Sequence, residues 1–96
     1  MEISNTGMFA SWFESLQDRR ARARIQARID RMALGNFGDV APVGEGVSEM
    51  RIHYGPGFRV YFVQRRSVLV ILLCGGDKRS QREDIVRAKE LARQLE

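Results

Sequence analysis

Apolar positions change period along this chain, and each change marks an element. Met8, Phe9, Trp12, Phe13 and Leu16 recur at helical spacing after Thr6, a side chain able to cap a helix start. A first helix is expected there, with Glu2 to Asn5 before it as a short edge strand. Asp18 is the expected N-cap of a second helix that runs to Leu34 and ends at Gly35, with Ala21, Ile25, Ile29 and Met32 as its apolar stripe. The two helices should form a hairpin. In the second, Arg20, Arg24, Arg28 and Arg31 fall on a separate stripe, so one side of it is cationic. Residues 35–48 hold four of the nine glycines and one of the two prolines and read as a loop.

From Ser48 onward the period is two. Met50, Ile52 and Tyr54 alternate with Glu49, Arg51 and His53, and Phe58, Val60 and Phe62 alternate with Arg59, Tyr61 and Val63 across the turn Gly55-Pro56-Gly57. That pattern predicts a hairpin. A second tight connection at Arg65-Arg66 leads into Val68 to Cys74, whose unbroken apolar run predicts a central strand covered on both faces. After Gly75-Gly76-Asp77-Lys78, the sequence Ser80-Gln81-Arg82-Glu83 has the S-x-x-E capping-box pattern and opens a last helix with Ile85, Ala88, Leu91, Ala92 and Leu95 on its apolar side. The expected order is β-α-α-β-β-β-α, an α+β fold in one domain over residues 1–96.

A three-residue turn at 55–57 would set Tyr54 opposite Phe58, Ile52 opposite Val60 and Met50 opposite Phe62, gathering the large apolar groups on one face. On the other face His53 would lie opposite Arg59, and Arg51 opposite Tyr61. Cations set side by side repel, so something anionic is expected on that face. The third strand of this meander would return Gly76, Asp77 and Lys78 close to Arg59 and His53.

Composition narrows what such a face can do. Sixteen Lys+Arg stand against 12 Asp+Glu, a formal net charge of +4, and 14 of those cations are arginine. Six arginines lie within residues 19–31, and Arg51, Arg59, Arg65 and Arg66 lie within 51–66, where there is no acid. Arginine holds phosphate oxygens with a planar fork and stacks on bases, which suits a nucleic-acid partner; a solvated cationic face or a GC-rich coding sequence accounts for the same counts. One cysteine and one histidine build neither a disulfide nor a closed zinc site, so a reducing cytoplasmic setting, no metal and no cofactor are expected. The longest apolar run is far short of the roughly 20 residues of a spanning helix, and the N-terminal residues do not read as a secretory signal.

Cleavage of RNA by its own 2′-oxygen needs a base for that proton, cations for the charge gathering on phosphorus, and an acid for the leaving 5′-oxygen. Arg51, Arg59 and Lys78 are the candidate cations, His53 the candidate proton carrier, and Tyr61 a stacking or hydrogen-bonding group. Arg79 joins Arg51, Arg59 and Lys78 as a candidate substrate contact. Cys74 is assigned to the core, Arg65 and Arg66 to solvent, and Asp77 and Asp84 to the start of the last helix, where the helix dipole favours acids.

The runs Leu34-Gly-Asn-Phe-Gly-Asp39, Pro42-Val-Gly-Glu-Gly-Val-Ser-Glu49, Arg51-Ile-His-Tyr-Gly-Pro-Gly-Phe-Arg-Val-Tyr-Phe62 and Leu73-Cys-Gly-Gly-Asp-Lys78 resemble the RelE/ParE toxin superfamily, more closely its HigB-like addiction module killer branch, over essentially the whole chain. The resemblance implies the toxin of a bacterial type II toxin–antitoxin pair: a helical hairpin and a C-terminal helix packed with a small antiparallel sheet. It further implies a metal-independent, ribosome-dependent mRNA endonuclease that inhibits translation. Arg59 matches the RelE-type arginine after Gly-aromatic, Lys78 falls where those enzymes have a phosphate-contacting arginine, and Arg51 lies near their strand lysines. The tyrosine that such enzymes carry near the C-terminus has no counterpart, Asp84 standing at about that point. The implied partners are the ribosome, mRNA and a cognate antitoxin with a helix-turn-helix domain, a heterotetramer being one stoichiometry, and no membrane. Arg20, Arg24 and Arg28 are the expected antitoxin contacts, by charge complementarity with an acidic partner. A ParE-like toxin that inhibits DNA gyrase by binding, and an inactive remnant that only binds its antitoxin, remain as alternatives.

Overall fold

Thr6 starts helix α1 (Gly7–Ser15) and ties it to the sheet. Its hydroxyl accepts the Phe9 N–H at 3.1 Å and donates to the Leu73 carbonyl at 2.5 Å. Asp18 caps α2 (Arg19–Ala33) by accepting from the Arg20 and Ala21 amides at 2.9 and 3.2 Å. Gly35, at φ +90°, ends that helix: the Gly35 and Asn36 amides reach back to the Met32 and Arg31 carbonyls, a Schellman stop that needs a left-handed residue. These caps are where the sequence placed them.

The computed structural model describes residues 1–95. Besides the two helices it contains β1 (Glu2–Asn5), β2 (Val40–Gly44), β3 (Val47–Ile52), β4 (Phe58–Arg65), β5 (Leu69–Gly76), a 3₁₀ turn (Lys78–Ser80) and α3 (Gln81–Gln94). The strands form one sheet in the order β1-β5-β4-β3-β2; β1 is parallel to β5 and the other pairs are antiparallel. The α+β class is as expected. The segment read as a loop supplies an extra strand, however, so the order is β-α-α-β-β-β-β-α. Its proline is compatible with pairing because β2 lies at the sheet edge, and Gly44, Glu45 and Gly46 all take positive φ in the tight β2–β3 turn.

Two further expectations are corrected. Strand β5 is interior, but β4 occupies the middle of the sheet. The β3–β4 connection is a five-residue loop, 53–57, closed by the Tyr54 amide on the Ile52 carbonyl and the Gly57 amide on the Tyr54 carbonyl. Ile52 therefore pairs with Phe58, Met50 with Val60, Arg51 with Arg59 and Glu49 with Tyr61. His53 is not opposite Arg59, nor Arg51 opposite Tyr61. The slip is two residues, which preserves parity, so each side chain keeps its expected face.

Both faces are covered. Phe9 of α1 and Ala21, Ile25, Ile29 and Met32 of α2 pack on Met50, Ile52, Phe58, Val60, Phe62, Val70 and Leu72. Ala88 and Ala92 of α3 pack on Val47, Tyr61, Val63, Leu73 and Cys74. Gly75 and Gly76 serve opposite faces at the end of β5: a Cβ on Gly75 would collide with the Trp12 ring, and one on Gly76 with the Asp84 carboxylate. Ser80 does not cap α3. Its hydroxyl donates to Asp84 Oδ2 at 2.5 Å, while Asp77 caps the 3₁₀ turn ahead of it in a capping box that Ser80 closes. No described helix is long and apolar enough to cross a membrane.

Candidate functional site

The arginine pair on β3 and β4 has its anion built in. Arg51 and Arg59 are cross-strand partners, and Glu49, two residues before Arg51, turns the same way. Glu49 Oε2 lies 3.1 Å from Arg51 Nε, and Oε1 lies 3.8 Å from Arg59 Nε. The Gln81 side chain of α3 donates to Oε1 at 2.9 Å. Arg59 also donates to the Gly57 and Phe58 carbonyls, at 3.1 and 3.4 Å. Its side chain is only 8% exposed, because α3 and the turn before it cover this face. Arg51 is 36% exposed and is the open member of the pair.

His53 turns toward α2 instead. Its Nε2 is 2.5 Å from Asp39 Oδ2, and Asp39 Oδ1 is 3.5 Å from Arg51 Nη1. Alternating charges thus run Arg59, Glu49, Arg51, Asp39, His53 from the interior to the surface. The hydrogen bond from His53 holds the Asp39 carboxyl below its usual range against partial desolvation, and the Arg51 and Arg28 charges add to the effect. Such a group contributes stability above its unfolded value of 3.8, lost as the pH falls through its lower folded value. The pairing should therefore persist down to about pH 4, and fade in more acid solution, as read by His53 imidazole chemical shifts.

Arg28 braces this loop from α2, donating to the Arg51 carbonyl at 2.6 Å and to the Phe37 and Asp39 carbonyls at 3.3 and 3.4 Å. Gly38, at φ +67°, lets the guanidinium lie against the loop, where a Cβ would sit 3.0 Å from Arg28 Nη2. Of the three arginines expected to meet a partner, Arg28 is therefore structural. Arg20 and Arg24 stay on the outer surface, with Arg24 Cζ 4.7 Å from the Tyr54 ring centroid. The Tyr54 hydroxyl in turn donates to Asp18 at 3.1 Å. Between α2 and the β3–β4 loop lies a groove of about 400 Å³ lined by Arg24, Ala27, Arg28, Arg31, Asp39 and His53, among others.

The remaining candidates divide. The stem of Lys78 packs beside Gly57, which brings it to the Arg59 end of the sheet. Arg79 is exposed and pairs with Asp77 at 3.2 Å. Tyr61 is fully buried under α3, its hydroxyl without a hydrogen-bond partner among the described residues, and burial, with the Glu49 and Asp84 charges, pushes its pKa well up. It is not a surface stacking group here. Removing an unpaired buried hydroxyl lifts a desolvation cost of about 1–3 kcal/mol, so Tyr61→Phe should hold or raise stability in chemical denaturation and leave activity intact. Cys74 is buried, its thiol pushed up to about 12 by burial and then by the Asp84 charge, as suits a core residue.

Asp39 and Glu49 are the residues sequence reasoning missed. Glu49 lies two residues from Arg51 in the chain, but Asp39 stands in a stretch without cations and meets Arg51 and His53 only in the folded protein. The usable signal was the need for anions beside Arg51 and Arg59, which the chain's own acids meet.

A five-stranded sheet with a helical hairpin on one face and a C-terminal helix on the other is a RelE-like α+β arrangement. Residues 11–95 match the family described as Phage derived protein Gp49-like, and the chain belongs to that family, which is associated with toxin–antitoxin toxins. An uncharacterized protein of Haemophilus influenzae is 50% identical to it over 95 residues, covering 99% of this chain and 96% of the relative.

Proposed function

We propose that this protein is the toxin of a bacterial type II toxin–antitoxin pair and acts as a metal-independent, ribosome-dependent mRNA endonuclease. The observation that carries the reading is the exposed His53, held by Asp39 in a wall of arginines. A carboxylate on Nε2 fixes the proton there and leaves Nδ1 to accept one from the attacking 2′-hydroxyl. Arg51, Lys78 and Arg79 are the cations available to the phosphate. Arg59, buried behind Glu49, is a positioning residue: it fixes Glu49, and Glu49 fixes Arg51. Family membership supports an antitoxin partner. The exposed Arg20 and Arg24 of α2 offer it a cationic face, best matched by acidic side chains.

The test is a translating extract given purified protein, with mRNA 5′ ends mapped. Cleavage that stops when the antitoxin is added supports the reading. Intact mRNA together with inhibited gyrase supercoiling would replace it with the binding-only alternative, and no effect on either would leave an inactive antitoxin-binding protein.

A further inference from the structure

We propose that the groove between α2 and the β3–β4 loop is a binding site for single-stranded RNA, in which Arg24 and Arg31 take backbone phosphates and the Ala27–Ile52 floor receives a ribose or an unstacked base. The choice of RNA as ligand rests on the endonuclease reading above; the groove itself does not.

Its size, about 400 Å³, lies within the usual range for small-ligand sites and suits a nucleotide unit. Three arginines and one histidine line it, against a single acid among the lining residues, Asp39. Both Asp39 oxygens are already engaged, by His53 and by Arg51, so the wall is left with cationic character. Arg28 is held by three carbonyls, and its charge stays in that wall as a fixed element.

Arg24 is oriented before any ligand arrives. Its guanidinium lies over Tyr54, whose hydroxyl is anchored on Asp18, and a pre-placed cation loses less freedom on binding. A flat guanidinium with one face on an aromatic ring can take a base or a phosphate on its other side. A second, shallower groove lined by Arg20, Ala23, Arg24 and Ala27 shares Arg24 and Ala27 with the first, so the path continues along α2. Apolar floor atoms between cations favour an unpaired strand, which can splay a base into the groove, over a duplex, which keeps its bases stacked.

The test measures binding apart from cleavage. The full chain is titrated into a fluorescent 12-nucleotide RNA carrying 2′-O-methyl groups, which it cannot cleave by 2′-oxygen attack, and anisotropy is read at several salt concentrations. The double variant Arg24→Ala/Arg31→Ala should weaken binding by about tenfold per arginine. It should also lower the slope of log affinity against log salt by about 1.4, the expectation for two single-strand phosphate contacts. Arg66→Ala/Arg87→Ala removes the same charge elsewhere and should leave affinity within about twofold. Equal losses in the two double variants would overturn the proposal. So would a wild type that shows no affinity for the RNA while an acidic peptide of matched charge binds it with the same Arg24 and Arg31 dependence, which would give the groove to a protein partner alone. If wild type cleaves no mRNA while the Arg24 and Arg31 dependence holds, the endonuclease reading falls and the site stands. If wild type cleaves and the Arg24/Arg31 variant binds as wild type does, only the site falls.

Discussion

Replacing His53 with alanine should lower mRNA cleavage in a translating extract by roughly 10²–10⁴-fold, the usual contribution of a positioned proton carrier. Its side chain is 69% exposed and contributes to no apolar cluster, so stability should stay within about 0.5 kcal/mol of wild type. Activity and fold are thereby separated, as they are not for a buried residue. Asp39→Asn should also lower cleavage, because an amide can offer Nε2 an N–H and leave the imidazole in the other tautomer. Full cleavage and growth arrest by His53→Ala would move proton transfer to another group, for which Tyr61 is ill placed, being buried and shifted toward its neutral form.

The largest loss of stability is expected at Glu49. The residue is 3% exposed, and its carboxylate stands between two guanidinium groups, one of them buried. Glu49→Ala would leave Arg59 buried without a counter-charge, and breaking a buried pair from one side costs about 3–5 kcal/mol. A small domain has little more than that to lose. Glu49→Gln keeps the shape and an acceptor for Gln81, and should lose less. Adding Arg59→Met to Glu49→Ala removes the stranded cation and should recover much of the stability. Equilibrium denaturation of the three variants decides the matter: a loss below about 1 kcal/mol in Glu49→Ala would mean that Arg59 finds solvent or another anion.

How much of this was legible beforehand depended on range. Thr6, Asp18 and Gly35 act within three or four residues of themselves, and sequence alone placed them correctly. The meander and the face assigned to each strand residue were also readable, because alternation survives a two-residue slip. The slip itself was not: Gly55-Pro56-Gly57 looks like a complete turn, and nothing local reveals that His53 and Tyr54 leave the ladder as well. That difference moved His53 away from Arg59 and toward an aspartate 14 residues earlier in the chain. Strand β2 was hidden by glycines that belong to its turn and by a proline that an edge position accommodates. The burial of Tyr61 and Arg59 depends on where α3 lands, a question of packing that the capping signal at Ser80 could not answer. Strand pairing sets Gly76 beside Arg59, and the Lys78 stem lies beside Gly57, but the acids that share those surroundings are brought there by register and packing, which no local pattern shows.

The adjacent glycines at 75 and 76 make the two apolar layers dependent on each other. Trp12 leans on one side of this dipeptide, and the Asp84–Ser80 contact occupies the other, so the backbone there is shared by helices on opposite faces of the sheet. Displacing either helix frees the same stretch of β5, which removes support from the opposite layer. The domain should accordingly lose both layers in one cooperative event, with indole fluorescence and far-ultraviolet ellipticity changing together rather than in sequence.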